Sequence, residues 1–272
     1  MWMVVCNKQV MTSRQNCLNI RKRIVDLSFK AGKNGSHLGG CLSLVEILEA
    51  VFSVLKRDED NLENRDRLIL SKGHGALALF CALEQNGLLT TDEIETFESN
   101  GTDYFAHAKR NVAKGVEFSG GSLSLGLSYA VGVALACKAK GLQNKVYAIV
   151  GDGECNEGLV WESLMAATKY KLNNLIVIVD CNGLQSDGFT KDVMDISQLT
   201  DKFSVFGLDT DVVDGHDVDA LTTALQKNGI KPHAIIAQTV KGRGLSFVEN
   251  NPKWHHGVLT QALYDQAKEE LV

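Results

Sequence analysis

Proline is nearly missing from the chain, with 2 in 272 residues, so no proline-rich linker divides it. No apolar run is long enough to cross a bilayer. An excess of basic residues is missing as well. The 28 Lys and Arg against 33 Asp and Glu give a formal net charge of −5 and a pI near 5.8, which leaves no basic face for nucleic acid. The seven cysteines, Cys6, Cys17, Cys41, Cys81, Cys137, Cys155 and Cys181, show neither CxxC nor CxH spacing. Neither a zinc site nor a disulfide framework is indicated. No lysine-bearing phosphate loop and no GxGxxG turn occurs, which argues against an NTPase or a nicotinamide enzyme. The apolar opening Met1–Val5 is too short for the core of a signal peptide, and no small-residue cleavage site follows a charged start, so a cytoplasmic protein is expected.

What is present is a hydrophobic fraction of 44% and 25 glycines, composition enough for one large α/β domain spanning residues 1–272. Residues 145–188 organise it. An apolar run, Val146–Val150, enters Gly151-Asp152-Gly153. A helical pattern then leads to a second apolar run, Leu175–Val179, which ends in Asp180-Cys181-Asn182. This reads as strand, turn, helix, strand. The two strands of such a unit lie parallel and adjacent, so Asp152 and Asn182 meet over one edge of the sheet. A carboxylate and an amide oxygen, joined by the backbone carbonyl of Leu184, form a hard oxygen set that suits Mg²⁺ or Ca²⁺ and not zinc. Gly151 and Gly153 permit a sharp turn and close approach to a diphosphate, and the amino end of the following helix offers free N–H groups. Cys155 and Cys181 flank this site and read as small filler.

Elsewhere, residues 12–31 form an amphipathic helix. The run Gly35-Ser36-His37-Leu38-Gly39-Gly40 reads as a loop, and Ser43 with Glu46 as a capping box for a helix carrying Leu44, Leu48, Val51, Phe52 and Leu55. A short strand, Leu68–Leu70, enters Ser71-Lys72-Gly73-His74-Gly75 and a helix ending near Gly87. Residues 97–117 form a polar loop carrying His107. A helix spans Leu123–Lys140 and a strand Leu208–Val213, then Asp217 caps a helix through Leu225. Pro232 precedes the last strand, Ala234–Thr239, which enters Lys241-Gly242-Arg243. His216 reads as a turn histidine holding strand to helix. Lys241 and Arg243, just past a strand's carboxyl end, read either as solvated charges or as phosphate or partner contacts.

The GDG at 151–153, the 28 residues 154–181 and then Asn182 resemble the thiamine diphosphate fingerprint. The flanks GDGECNEGLVWESLMAA and VDCNGLQSDG resemble the diphosphate-binding half of transketolases, as do SHLGG, NRDRLILSKGHGALAL, GVEFSGGSLSLGLS, DGHD at 214–217 and KPHAIIAQTVKGRGLSFVENNPKWHHG. The resemblance covers residues 14–265 and implies a parallel sheet flanked by helices that binds thiamine diphosphate with Mg²⁺. It places His74 at the diphosphate, His37 at the sugar, Gly121 and Leu123 around the thiamine, and His256, with His255 as the fallback, at the cofactor or substrate. Gly153 and Asn182 also belong to the cofactor site, with Asp152, Asn182 and Leu184 on the metal. Two segments depart from the family. Ala106-His107-Ala108 replaces Gly-His-Pro, which puts the target of a substrate-facing His107 in doubt, and Ser124-Leu125 replaces Gly-Gln, which removes a polar contact near the cofactor.

The implied activity is transfer of a two-carbon ketol unit from a ketose, or its phosphate, to an aldose. The family's activating glutamate lies in a pyrimidine-binding domain that this chain does not contain, and Glu157 reads as a helix amino-terminal charge. A separate pyrimidine-binding subunit in an α2β2 assembly is therefore expected. Other readings are a subunit of a 2-oxo acid dehydrogenase or of a deoxyxylulose phosphate synthase relative, and a non-catalytic binding subunit. The WESL and KWHHG segments favour the transketolase.

Overall fold

A computed structural model describes residues 12–58 and 61–272; Met1–Val5 and Cys6 lie outside the described residues. The elements in order are α1 (Ser13–Lys30), α2 (Leu38–Leu42), α3 (Val45–Val54), β1 (Arg67–Leu70), α4 (Ala76–Gln85), α5 (Thr91–Ile94) and α6 (Leu125–Ala139). There follow β2 (Val146–Gly151), α7 (Gly158–Lys169), β3 (Leu175–Cys181), β4 (Leu184–Gln185), β5 (Gly188–Phe189), α8 (Thr190–Val193) and α9 (Leu199–Val205). The chain ends with β6 (Asp209–Asp214), α10 (Val218–Leu225), β7 (His233–Gln238) and α11 (Gln261–Glu270). Among the described residues no helix is long and apolar enough to cross a membrane.

Five parallel strands form one sheet in the order β1-β2-β3-β7-β6. The continuous apolar runs of β2 and β3 have no solvent face because helices cover both sides of the sheet. Tyr147 and Ile149 of β2 enter the core beneath α1, α3 and α4, while Ala148 and Val150 enter the core beneath α6 and α7. That is the two-residue alternation of a strand resolved into two layers. The edge strand β6 carries Asp209, Asp211 and Asp214 on an incompletely buried ribbon, charges that discourage further pairing.

The expected parallel pairing of β2 and β3 is observed, with Gly151 in register with Asp180. Both Asp152 and Asn182 thus leave the sheet at its carboxyl edge. Several local expectations change. Leu38–Leu42 is a short helix rather than loop, because Gly39 and Gly40 pack where side chains do not fit: a Cβ on Gly39 would meet the Trp254 carbonyl oxygen at 2.8 Å. Ser43 does not cap α3, since its hydroxyl donates to Asp180 at 2.7 Å and Glu46 binds Arg21. The helix expected from Leu123 begins at Leu125, after Ser124 in a left-handed conformation with φ 70°. A 3₁₀ turn, Gly153–Asn156, separates the GDG turn from α7. Neither Gly151 nor Gly153 has positive φ. The bare Gly153 instead makes room for Gln185, whose Cβ would lie 2.9 Å from an added side chain.

Candidate active site

The carboxyl ends of β1, β2, β3 and β7 open into a cavity of about 420 Å³, lined by His37, Lys72, His74, His107, Asp152, Asn182, Leu184, Lys241 and His255, with Gly121, Leu123 and Gly153 also in its wall. Each histidine arrives from a different connection. His37 immediately precedes α2, and His74 sits in the turn between β1 and α4. His107 comes from the long connection before α6, and His255 from the segment before α11. The His37 ring lies 5.7 Å from His74, 5.1 Å from His107, 5.4 Å from His255 and 4.8 Å from His256, centre to centre. His255 lines the cavity. His256 is more exposed and stands behind the His37 ring, outside the residues that line it.

At the opposite wall Asp152 Oδ2 accepts from the Gly183 N–H at 2.6 Å, and Oδ1 from the Gly153 N–H at 2.8 Å. Asn182 Oδ1 accepts from the Leu184 N–H at 3.1 Å. Gly183 has φ 72°, a left-handed backbone that glycine adopts without strain and that turns its N–H back to Asp152. These bonds join Asp152, just past β2, to the segment after β3 that carries Asn182 and Leu184. Lys241 Nζ already places a positive charge on the Leu184 carbonyl, at 3.2 Å, and also donates to His255 Nδ1 at 3.2 Å.

The sequence pattern alone did not single out Lys72 or Asp180. Lys72 is 1% exposed and pairs with the fully buried Asp180. Asp180 also accepts from Ser43, from Thr239 and from Asn182 Nδ2 at 3.2 Å. The pair therefore ties β1, α2 and β3 together beneath the cavity floor. A buried pair is costly to break, about 3–5 kcal/mol when one partner is removed, because the other charge is stranded. Glu154 was missed in the same way. Its buried carboxylate accepts from Ser71 Oγ, from the Ser124 N–H at 2.7 Å and from the Gly151 N–H at 3.0 Å, which joins three loops at the cavity's side. Ser124, which with Leu125 departs from the family in this segment, uses its backbone here, and Leu125 is 46% exposed.

Burial dominates the electrostatics. It lowers His37 to about 3, helped by the charges of His255, His256, His107 and Lys241. It lowers His255 to about 4, with Lys241 and Lys72 adding to the effect. His74 is held well below 6.5 by burial and Lys72. Asp152 is raised to about 6 by burial and the neighbouring Asp180. Lys241 is lowered to about 8 by burial and Lys72. The Cys181 thiol is pushed up to about 12 and that of Cys155 well above 9, first by burial, so both stay protonated as filler. At neutral pH the cavity presents the neutral imidazoles of His37, His74 and His255 together with Lys241, which touches His255.

These residues fit a diphosphate cofactor and a hard cation. Asp152, Asn182 and Leu184 supply only oxygens, which favours Mg²⁺ or Ca²⁺. Among the described residues His37 Nδ1 is buried without a hydrogen-bond partner, a donor or acceptor that a bound molecule would satisfy. A parallel sheet with an acidic GDG turn, an asparagine on the neighbouring strand and histidines facing both is a thiamine diphosphate-binding fold. The chain belongs to the family described as the transketolase thiamine diphosphate-binding domain, whose model matches residues 13–271.

The chain is 42% identical over 258 residues to an apulose-4-phosphate transketolase subunit of Actinobacillus succinogenes, covering 93% of each chain. It is 39% identical to a 6-deoxy-6-sulfo-D-fructose transketolase subunit of a Clostridium species, covering 88% of this chain and 90% of that one. Against human transketolase identity is 35%, over 92% of this chain but 41% of the human one. The crystal structure of Campylobacter jejuni transketolase superposes with a TM-score of 0.86 at 28% identity, over 96% of this chain and 43% of that one. The chain thus spans about two-fifths of such single-chain relatives and nearly the full length of the named subunits.

Proposed function

We propose that the chain, as a single diphosphate-binding domain, is one of two kinds of subunit in a transketolase that moves a two-carbon ketol unit from a ketose, or its phosphate, to an aldose or its phosphate. The observation that carries this reading is the oxygen set of Asp152, Asn182 and Leu184 facing His37, His74, His107 and His255 across one cavity. The match to whole relatives that are themselves named as subunits supports the two-chain form. Thiamine diphosphate, when bound, supplies the electron sink for breaking and making the carbon–carbon bond.

The chain's own residues do the rest. Asp152, Asn182 and the Leu184 carbonyl hold Mg²⁺, or Ca²⁺, against the diphosphate. Gly153, His74 and Lys241, which line the same cavity, would face it. Gly121 and Leu123 flank the thiamine. His37 and His107 meet the sugar, where the neutral His37 imidazole accepts or returns a proton at a hydroxyl or carbonyl oxygen. His256, the family match, backs the His37 ring, and His255 presents its own ring to the cavity. A pyrimidine-binding subunit provides the activating carboxylate, and an α2β2 assembly closes two such sites between subunits.

Asp152→Ala tests the metal site. Calorimetry with thiamine diphosphate and Mg²⁺ is expected to show metal-dependent affinity abolished, because the oxygen set loses its only carboxylate. Unchanged affinity in that variant would overturn the assignment.

A further inference from the structure

His216 lies outside the cavity, in the turn between β6 and α10, yet its ring is spent on two distant elements. Nε2 accepts the Val240 N–H at 2.8 Å, and Nδ1 lies 3.0 Å from Glu46 Oε2 on α3. An N–H pointing at Nε2 fixes the tautomer: Nε2 carries no proton, so Nδ1 does, and it donates to Glu46. Glu46 also accepts from Arg21 Nη1 and Nη2 at 2.6 and 2.7 Å, a bidentate pair that is nearly buried. Burial acts to raise Glu46, but the bonds from His216 and Arg21 outweigh it and hold the carboxyl down at about 2.

The far end of this chain of bonds is the segment that carries Lys241. Beyond β7 the backbone leaves the sheet, and Val240 has no ladder partner for its N–H. His216 holds that N–H. Arg21 Nε–H donates to the Arg243 carbonyl at 3.1 Å, and the Gly242 N–H donates to the Gly39 carbonyl at 2.9 Å. Residues 240–243 are thereby pinned on both sides of Lys241, whose ammonium is driven into the cavity, 2% exposed, onto Leu184 and His255.

We propose that His216, with Glu46 and Arg21 behind it, is a positioning residue that sets where the Lys241 ammonium sits in the cavity. The consequence for cofactor affinity rests on the cavity being the cofactor site; the consequence for Lys241 itself does not. Side-chain geometry separates this role from plain turn structure. A glutamine amide reaches the Nε2 position and can accept from Val240, whereas an asparagine amide reaches only the Nδ1 position and keeps at most the Glu46 bond.

The test measures two things on the full chain: the rate of Lys241 acetylation by acetic anhydride, followed by mass spectrometry, and thiamine diphosphate affinity in the presence of Mg²⁺ by calorimetry. Losing the bond to a paired N–H changes local opening on the order of tenfold, so His216→Ala and His216→Asn are expected to speed Lys241 acetylation about tenfold and to weaken cofactor binding by a similar factor. His216→Gln is expected to stay close to the unmodified chain in both. Asp217→Ala, which removes the α10 cap formed by Asp217 on the Asp219 and Ala220 N–H groups, is expected to lower the melting temperature while leaving Lys241 protected. On a Lys241→Ala background, His216→Asn should add no further loss of affinity. If His216→Ala does not fold, the asparagine and glutamine variants decide. Lys241 protected equally in the asparagine variant, or exposed equally by Asp217→Ala, overturns the proposal. Lack of thiamine diphosphate binding by the unmodified chain overturns the cofactor reading instead and leaves the acetylation result to judge this one.

Discussion

His37 is enclosed by four imidazoles and a lysine, and its depression to about 3 means that it is neutral throughout the physiological range. A neutral ring with an unpartnered buried nitrogen is suited to exchange a proton with a bound sugar and unsuited to hold a phosphate by charge. His37→Ala in the presence of the partner subunit should therefore lower turnover by roughly 10²-fold or more, the usual scale of a general acid or base, with cofactor affinity nearly intact. Loss of cofactor binding by calorimetry would assign His37 to the cofactor instead. Glu46 makes a separate prediction. Its folded pKa of about 2 lies below the ordinary 4.5, so its stabilising contribution is complete above about pH 4.5 and is lost as the pH falls towards 2. The stability gap between the unmodified chain and Glu46→Gln, read by denaturant titration, should be widest above pH 5 and close at the acid end; a gap independent of pH would contradict it. The histidines stood out in the sequence through the resemblance of SHLGG and SKGHG to transketolase segments; of the two, only SKGHG follows a strand. Lys72 and Asp180 did not, although they stand in SKGHG and VDCNG. Their pairing depends on β1 and β3 flanking β2, and no local pattern shows which strands are neighbours.

The β2–α7–β3 unit was readable because its apolar runs are continuous and its turn residues are specific, and that unit brings Asp152 and Asn182 to the carboxyl edge of the sheet. The elements around it were misread where a tertiary contact overrode a local rule. Ser43 and Glu46 have the spacing of a capping box, yet Asp180 takes the serine and Arg21 with His216 the glutamate. The glycines before them looked like loop, and they are helix because α2 packs against the His74 turn and the Trp254 backbone. The same closeness governs the start of α6. A Cβ on Gly126 would sit 2.5 Å from Ser71 Cα, so α6 meets the end of β1 with no room for a methyl group. Gly126→Ala should cost about 1–3 kcal/mol through forced backbone shifts, despite the better helix propensity of alanine. Thermal denaturation reads this directly, and a variant as stable as the unmodified chain would show that the two backbones can separate freely.

As a whole the chain is the thiamine diphosphate-binding domain of a transketolase. It carries the oxygen set proposed for the metal, two lysines and the histidines, and it matches 93% of a named transketolase subunit but only 43% of a single-chain transketolase. Leu125, at the start of α6 two residues past the cavity-lining Leu123, and Met165 on α7 are exposed apolar side chains. The expectation of a separate pyrimidine-binding subunit came from the resemblance, which assigns the family's activating acid to another domain, and no local pattern in residues 1–272 carries it. The most direct measurement is ketol transfer by the purified chain, with thiamine diphosphate and Mg²⁺, before and after addition of a pyrimidine-binding subunit, with mass spectrometry confirming which polypeptides are present. The two-chain reading expects no turnover from the chain alone and turnover that rises with the concentration of both partners. Sustained turnover by the 272-residue chain with no second polypeptide detectable would contradict it.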